Sequence, residues 1–280
     1  MTSYDDGYGR PQMQLALPPL TPWVKRLLIA NVTVFVFFVV VGLGSIPLQN
    51  RIIDFLAIDP DMWRSFIPAV WQWVTYAFVH DMNGLGHLFF NMLMLYFFGT
   101  MLEGIIGSRR FITHYLIAAV AGAVLHLAFM LMLGRTSTAI GASGAVLGVT
   151  VAAATLRPHA QVLFLFIPVK LWVLAAVLVA FDVYPLIREL SGGLPEGRVA
   201  HFVHLGGALY GFVAARQRWL WRDPLAVLER KRAVAQTERQ IGDQQRLDAL
   251  LDKINREGIG SLSRSEKAFL KKASARSGRR

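Results

Sequence analysis

Runs of about twenty mostly apolar residues recur through the first four-fifths of this 280-residue chain. A helix needs a run of that length to cross the hydrocarbon core of a bilayer. The composition agrees, with 54% hydrophobic and only 17% charged residues, against roughly 45–50% and about 25% in soluble domains. A disordered chain, a collagen and a disulfide-stapled miniprotein are excluded. The absence of cysteine also removes disulfides, thiolate metal sites and cysteine catalysis. The sequence is that of an integral membrane protein.

Six spans are expected, at roughly 27–48, 86–106, 111–132, 141–156, 165–187 and 200–220. The fourth is short and rich in Gly and Ala, as suits a helix packed among helices. The long connection over 49–85 is aromatic but too polar and broken to span, which predicts an interfacial or re-entrant segment. Lys25 and Arg26, Arg109 and Arg110, Arg157 and Lys170, and the basic stretch after the sixth span all fall on one side. The positive-inside rule makes that side cytoplasmic, so both termini are expected there, in a multi-pass cell-membrane protein. Residues 213–280 hold 17 of the 29 Lys and Arg but only 8 of the 18 Asp and Glu. Such a tail suits anionic membrane lipids, and without aromatic interleaving no nucleic acid is expected as a partner. The expected organisation is a flexible arm over 1–22, a membrane domain over 23–222 and a basic helical tail over 223–280. In the tail, Ser263 with Glu266 fits a capping box ahead of a last short helix.

Ionisable and strongly polar groups inside spans are expensive, and each is a functional hypothesis by default. His87 and Asn91 lie one turn apart at the start of span two. Ser143 opens span four within Gly141-Ala142-Ser143-Gly144. His201 and His204 open span six. Even-numbered spans run the same way, so His87, Ser143 and His204 are expected at one depth near the outer leaflet. Gly144 with Gly148, and Gly207 with Gly211, have the Gly-x-x-x-Gly spacing that lets two helix backbones approach closely. A serine hydroxyl becomes a nucleophile when a base within reach takes its proton. His204 is the candidate base. The Ser143 N–H, with the side chains of His87 and Asn91, would donate to an oxyanion. No obvious carboxylate orients His204, which predicts a Ser–His dyad and no triad. His80, His114, His126 and His159 have no partner motif and read as structural or surface residues.

The order and spacing of His87-x-x-x-Asn91, Gly141-x-Ser143-Gly144 and His204 ahead of Gly207-x-x-x-Gly211 resemble the rhomboid intramembrane serine proteases. The resemblance covers roughly 24–220 and includes Glu103 after Gly99. Residues 246–275 resemble an appendage found on some bacterial rhomboids. The resemblance implies an all-α, polytopic, six-transmembrane-helix bundle of the bacterial type, in a bacterial inner membrane. It implies Ser143 as nucleophile, His204 as base and His87 with Asn91 as oxyanion donors. Two departures stand out. Trp71-Gln72 occupies the place of a Trp-Arg pair in the first loop. Leu147 stands where some members stack an aromatic on the catalytic histidine.

The reading is an intramembrane serine endopeptidase cleaving single-span membrane proteins near the outer face, with no cofactor and no metal. Zinc on His87, His201 and His204 is conceivable, but the His-Glu-x-x-His of helical metalloproteases is absent, as is the Gly-x-Gly-Asp of intramembrane aspartyl proteases. The alternative from another class is a catalytically silent member of the fold that binds membrane-protein clients. Keeping both Ser143 and His204 argues against it.

Overall fold

A computed structural model describes residues 18–65, 69–164, 167–191 and 200–277. The expected arm over 1–22 falls almost wholly outside them. The chain divides into two compact units, one ending at Arg222 and the other starting at Asp223.

The first unit opens with α1 (Pro22–Gly44), whose proline sits in the first turn, where no N–H donor is needed. The first-turn amides of α1 find a partner far along the chain. Glu103, 2% exposed, accepts from the N–H groups of Trp23 and Val24 at 3.0 Å each and from the Thr21 hydroxyl. A carboxylate at the positive end of a helix is stabilised there by the helix dipole.

The broken connection follows as α2 (Ile46–Leu56), α3 (Pro60–Arg64) and α4 (Gln72–Thr75), of 11, 5 and 4 residues, none long enough to span. It is tied to the bundle at several points. Ile58 and Ala139 exchange two backbone bonds of 3.0 Å, and Gly141 N–H donates to the Tyr76 carbonyl at 2.9 Å. The Tyr76 hydroxyl in turn donates to the Ala119 carbonyl at 2.7 Å. Gln72 is fully buried, and its Oε1 accepts from Asp59 N–H and Trp63 Nε1 at 3.3 and 3.2 Å. Trp71 stacks on Phe55 and donates its indole N–H to the Phe55 carbonyl at 2.8 Å. Trp71-Gln72 thus ties this loop with neutral hydrogen bonds.

Span two runs over Leu85–Ile106 as α5 (Leu85–Met94), a π-helical turn at Leu95–Gly99 and α6 (Thr100–Ile106). Gly107, at φ +83°, turns the chain into α7 (Ser108–Met132). Next comes α8 (Ser143–Leu156), in which every residue from Gly144 to Ala154 is buried. A two-stranded antiparallel hairpin, β1 (Gln161–Phe164) with β2 (Ile167–Lys170), precedes α9 (Leu171–Leu190) and α10 (His201–Arg216).

The unit is an all-α polytopic membrane bundle apart from that hairpin. Against six expected spans, four described helices are long and apolar enough to cross: Pro22–Gly44, Leu85–Ile106, Ser108–Met132 and Leu171–Arg188. With 14 and 16 residues, α8 and α10 reach only about 21–24 Å. Buried from Gly144 to Ala154, α8 is enclosed by other helices and need not match the bilayer thickness. The fifth span begins at Leu171 and not at 165, because Gln161–Phe164 and Ile167–Lys170 pair as strands.

The second unit holds α11 (Pro224–Glu257), capped by Asp223 Oδ1 on Ala226 N–H at 2.9 Å, and α12 (Arg264–Ser277). The capping box is present. Ser263 N–H donates to Glu266 at 2.7 Å, and Glu266 N–H to Ser263 Oγ at 3.3 Å. Lys253 reaches Glu266 at 3.2 Å, and Arg246 lies over the Phe269 ring.

Candidate active site

The site is built where α8 and α10 touch. A Cβ added to Gly207 would run into the Gly144 carbonyl oxygen, and one on Gly211 into the Gly148 carbonyl oxygen. One on Gly148 would lie 2.7 Å from the Gly207 carbonyl oxygen, and one on Gly144 2.9 Å from that of Val203. The four glycines therefore face one another pairwise, with the two backbones in direct contact. Ser143 is the first residue of α8 and His204 lies in the first turn of α10. Close backbones bring these two side chains together, with Ser143 Oγ 2.6 Å from His204 Nε2.

The turn into α8 depends on Gly141. Its φ of +119° is strained for any side chain, and an added Cβ would fall 2.8 Å from His87 Nε2. The same point lies 3.5 Å from Ser143 Oγ, so the His87 ring and the serine hydroxyl flank one spot. His87 is the third residue of α5, and its Nδ1 accepts from Asp81 N–H at 3.4 Å. That bond leaves Nε2 as the protonated nitrogen, facing the spot beside Ser143. Asn91, one turn on, is buried and donates one amide N–H to the His87 carbonyl at 2.9 Å. The Ser143 N–H is in the first turn of its helix and so has no acceptor within it.

Asp182, which the sequence left unassigned, and His80, read there as a structural or surface residue, both lie beside the site histidines. The sequence offered no carboxylate near His204, and the structure brings one beside it. Asp182 of α9 places Oδ1 2.7 Å from His204 Nδ1 and 2.8 Å from His201 Nδ1. An acid well inside a span carried a usable signal, because intramembrane charge is rare. No motif linked it to α10, however. His80 is fully buried with its ring 5.2 Å from that of His87, and its Nε2 has no partner. Burial first, and the neighbouring His87 second, pull its pKa down to about 4. The remaining histidines lie elsewhere. His114 bonds the Tyr210 hydroxyl, His126 Nε2 donates to the Ser137 carbonyl at 2.8 Å, and His159 is exposed. Among the described residues, Asp182, His201 and His204 also form a group that could hold a metal ion.

Comparison with known proteins bears on this geometry. Residues 68–219, more than half the chain, match the model of the rhomboid domain, and 237–276 match a family of unknown function (DUF6576). The chain is 30% identical to rhomboid protein 1, mitochondrial, of Saccharomyces cerevisiae, over 73% of this chain and 57% of that protein. It is 30% identical to RHOMBOID-like protein 12, mitochondrial, of Arabidopsis thaliana, over 68% and 56%. It is 31% identical to the presenilin-associated rhomboid-like protein, mitochondrial, of Rattus norvegicus, over 50% and 38%. The chain thus spans roughly 40–60% of the length of these relatives. Their names correct one expectation. All three are mitochondrial proteins, which overturns the assignment to a bacterial cell membrane and leaves the bacterial type unsupported. The matched domain, the membrane helices and the relatives agree that this chain belongs to the rhomboid family, a family of intramembrane-protease type.

Proposed function

We propose that the chain is an intramembrane serine endopeptidase acting on membrane-spanning proteins, with Ser143 as nucleophile and His204 as its base. The observation that carries this reading is the 2.6 Å contact between Ser143 Oγ and His204 Nε2 inside a helix bundle. A neutral imidazole at that distance accepts the hydroxyl proton as Oγ attacks a scissile carbonyl. The oxyanion forms beside the Ser143 N–H and His87 Nε2, and Asn91 keeps a second amide N–H for it. His204 then protonates the leaving amine. In the second half-reaction it deprotonates the water that releases the acyl group from Ser143.

A peptide bond within a helix is shielded by its own hydrogen bonds, so a substrate span must unwind locally before attack. Helix-breaking residues near the face where spans two, four and six begin are therefore the expected cleavage sites. The names of the relatives favour a mitochondrial membrane as the setting. Recovery of a tagged chain from another membrane would count against it.

The test is labelling of the purified chain in detergent with a fluorescent fluorophosphonate. Labelling is expected for the native chain and absent in Ser143→Ala and His204→Ala. A folded native chain that does not label would sink the protease reading and favour a client-binding scaffold.

A further inference from the structure

Two carboxylates are buried among the described residues of the membrane unit, Glu103 and Asp182. The first is accounted for by the α1 terminus that it caps. Asp182 has no comparable structural task. It lies within α9, 8% exposed, where an ionised carboxylate is costly unless its oxygens are satisfied. Its partners are two imidazole nitrogens, His204 Nδ1 at 2.7 Å and His201 Nδ1 at 2.8 Å, both on Oδ1. The opposite nitrogen of the same His204 ring contacts Ser143 Oγ.

We infer that Asp182 is a positioning residue for His204 and turns the serine–histidine pair into a three-residue relay. The inference rests on the protease reading above and deepens it. A carboxylate can only accept, so the nitrogen facing it must carry the proton. A neutral His204 with Nδ1–H on Asp182 has its lone pair on Nε2, directed at the serine. Without that acceptor the ring is free to take the other tautomer, which would present an N–H to Ser143 and could not act as a base. Asp182 also compensates the imidazolium that forms when the serine proton arrives, in surroundings that screen charge poorly. No proton moves to Asp182 in this scheme. It stays ionised and holds orientation and charge. His201 donates to the same oxygen from the start of α10, three residues before His204, and so steadies the carboxylate from the helix that carries the base.

The same three side chains could instead hold a metal ion, because their ligand atoms lie within 4.8 Å of one another. The two occupancies exclude each other chemically. A metal on His204 Nδ1 would force the proton to Nε2 and block the serine.

The experiment compares Asp182→Asn, Asp182→Ala and Asp182→Glu with the native 280-residue chain, by fluorophosphonate labelling rate and by kcat and KM on a single-span substrate. In Asn and Ala, kcat is expected to fall by about 10²- to 10⁴-fold with KM little changed, and Glu is expected to restore part of it. Native kcat in a folded Asp182→Ala chain would overturn the inference. The protease reading would survive that result as long as the native chain labels and Ser143→Ala and His204→Ala do not. Should the variants fail to fold, nitrogen-15 NMR of histidine-labelled native chain decides, with His204→Ala giving the assignment. A neutral His204 protonated at Nδ1 supports the relay, and one protonated at Nε2 overturns it. A chelator that speeds labelling of the native chain would also overturn it, by showing that these residues hold a metal.

Discussion

Single buried polar side chains decide how the first loop meets the site. Gln72 and His80 are both wholly buried, yet one is satisfied and the other is not. Replacing Gln72 by Ala leaves the Trp63 indole N–H and the Asp59 amide without their acceptor. That should destabilise the chain by about 1–3 kcal/mol, read as a lower melting temperature in detergent. His80 makes a pH prediction. Its folded pKa near 4 lies below the ordinary 6.5, so between these values the unfolded chain binds more protons than the folded one. Stability should therefore be full above pH 6.5 and fall as pH drops towards 4, with His80 contributing roughly 3 kcal/mol over the window. His80→Phe should flatten that dependence, and an unchanged pH slope would refute the assignment. None of this was legible in the sequence, because the loop has no periodicity and a lone histidine has no motif. Ser143, His204, His87 and Asn91 could be singled out, since each is a polar group near the start of an apolar span, where random placement is expensive.

At the scale of elements, the pairing of α8 with α10 sets the distance between Ser143 and His204. The Gly-x-x-x-Gly spacing in both helices was readable, and the structure opposes the two motifs with carbonyl oxygens where side chains would be. Gly207→Ala should overpack this contact by about 1–3 kcal/mol and separate Ser143 from His204. The expected result is a large loss of fluorophosphonate labelling. Gly104→Ala in α6 is the control, because nothing lies within 4 Å of its added Cβ, and it should label normally. Equal labelling in the two variants would mean that the helix contact does not set the geometry. Element lengths were harder to read. The second strand, Ile167–Lys170, is apolar enough to be mistaken for the start of α9, since strand and helix differ little in short apolar runs.

At the scale of the molecule, the membrane unit ends at Arg222 and the second unit, 58 residues long, holds 14 of the 29 Lys and Arg. A chain stopped after Arg222 is expected to keep native labelling, and loss of labelling in a folded truncation would tie the second unit to the chemistry. The sequence by itself determined that this is a polytopic helical membrane protein, since helices satisfy every backbone group within such long apolar runs. It also marked a serine and two histidines at one expected depth, because depth follows from the order of the spans and the sign of their flanks. Only the tertiary structure decided which nitrogen of His204 faces Ser143, and that Asp182 stands behind it. Those facts depend on the rotation of α9 and α10 about their axes. Rotation is set by how side chains and glycine backbones pack between helices. In lipid both the packed and the lipid-facing sides of a span are apolar, so the sequence of one helix alone does not reveal which side turns inward.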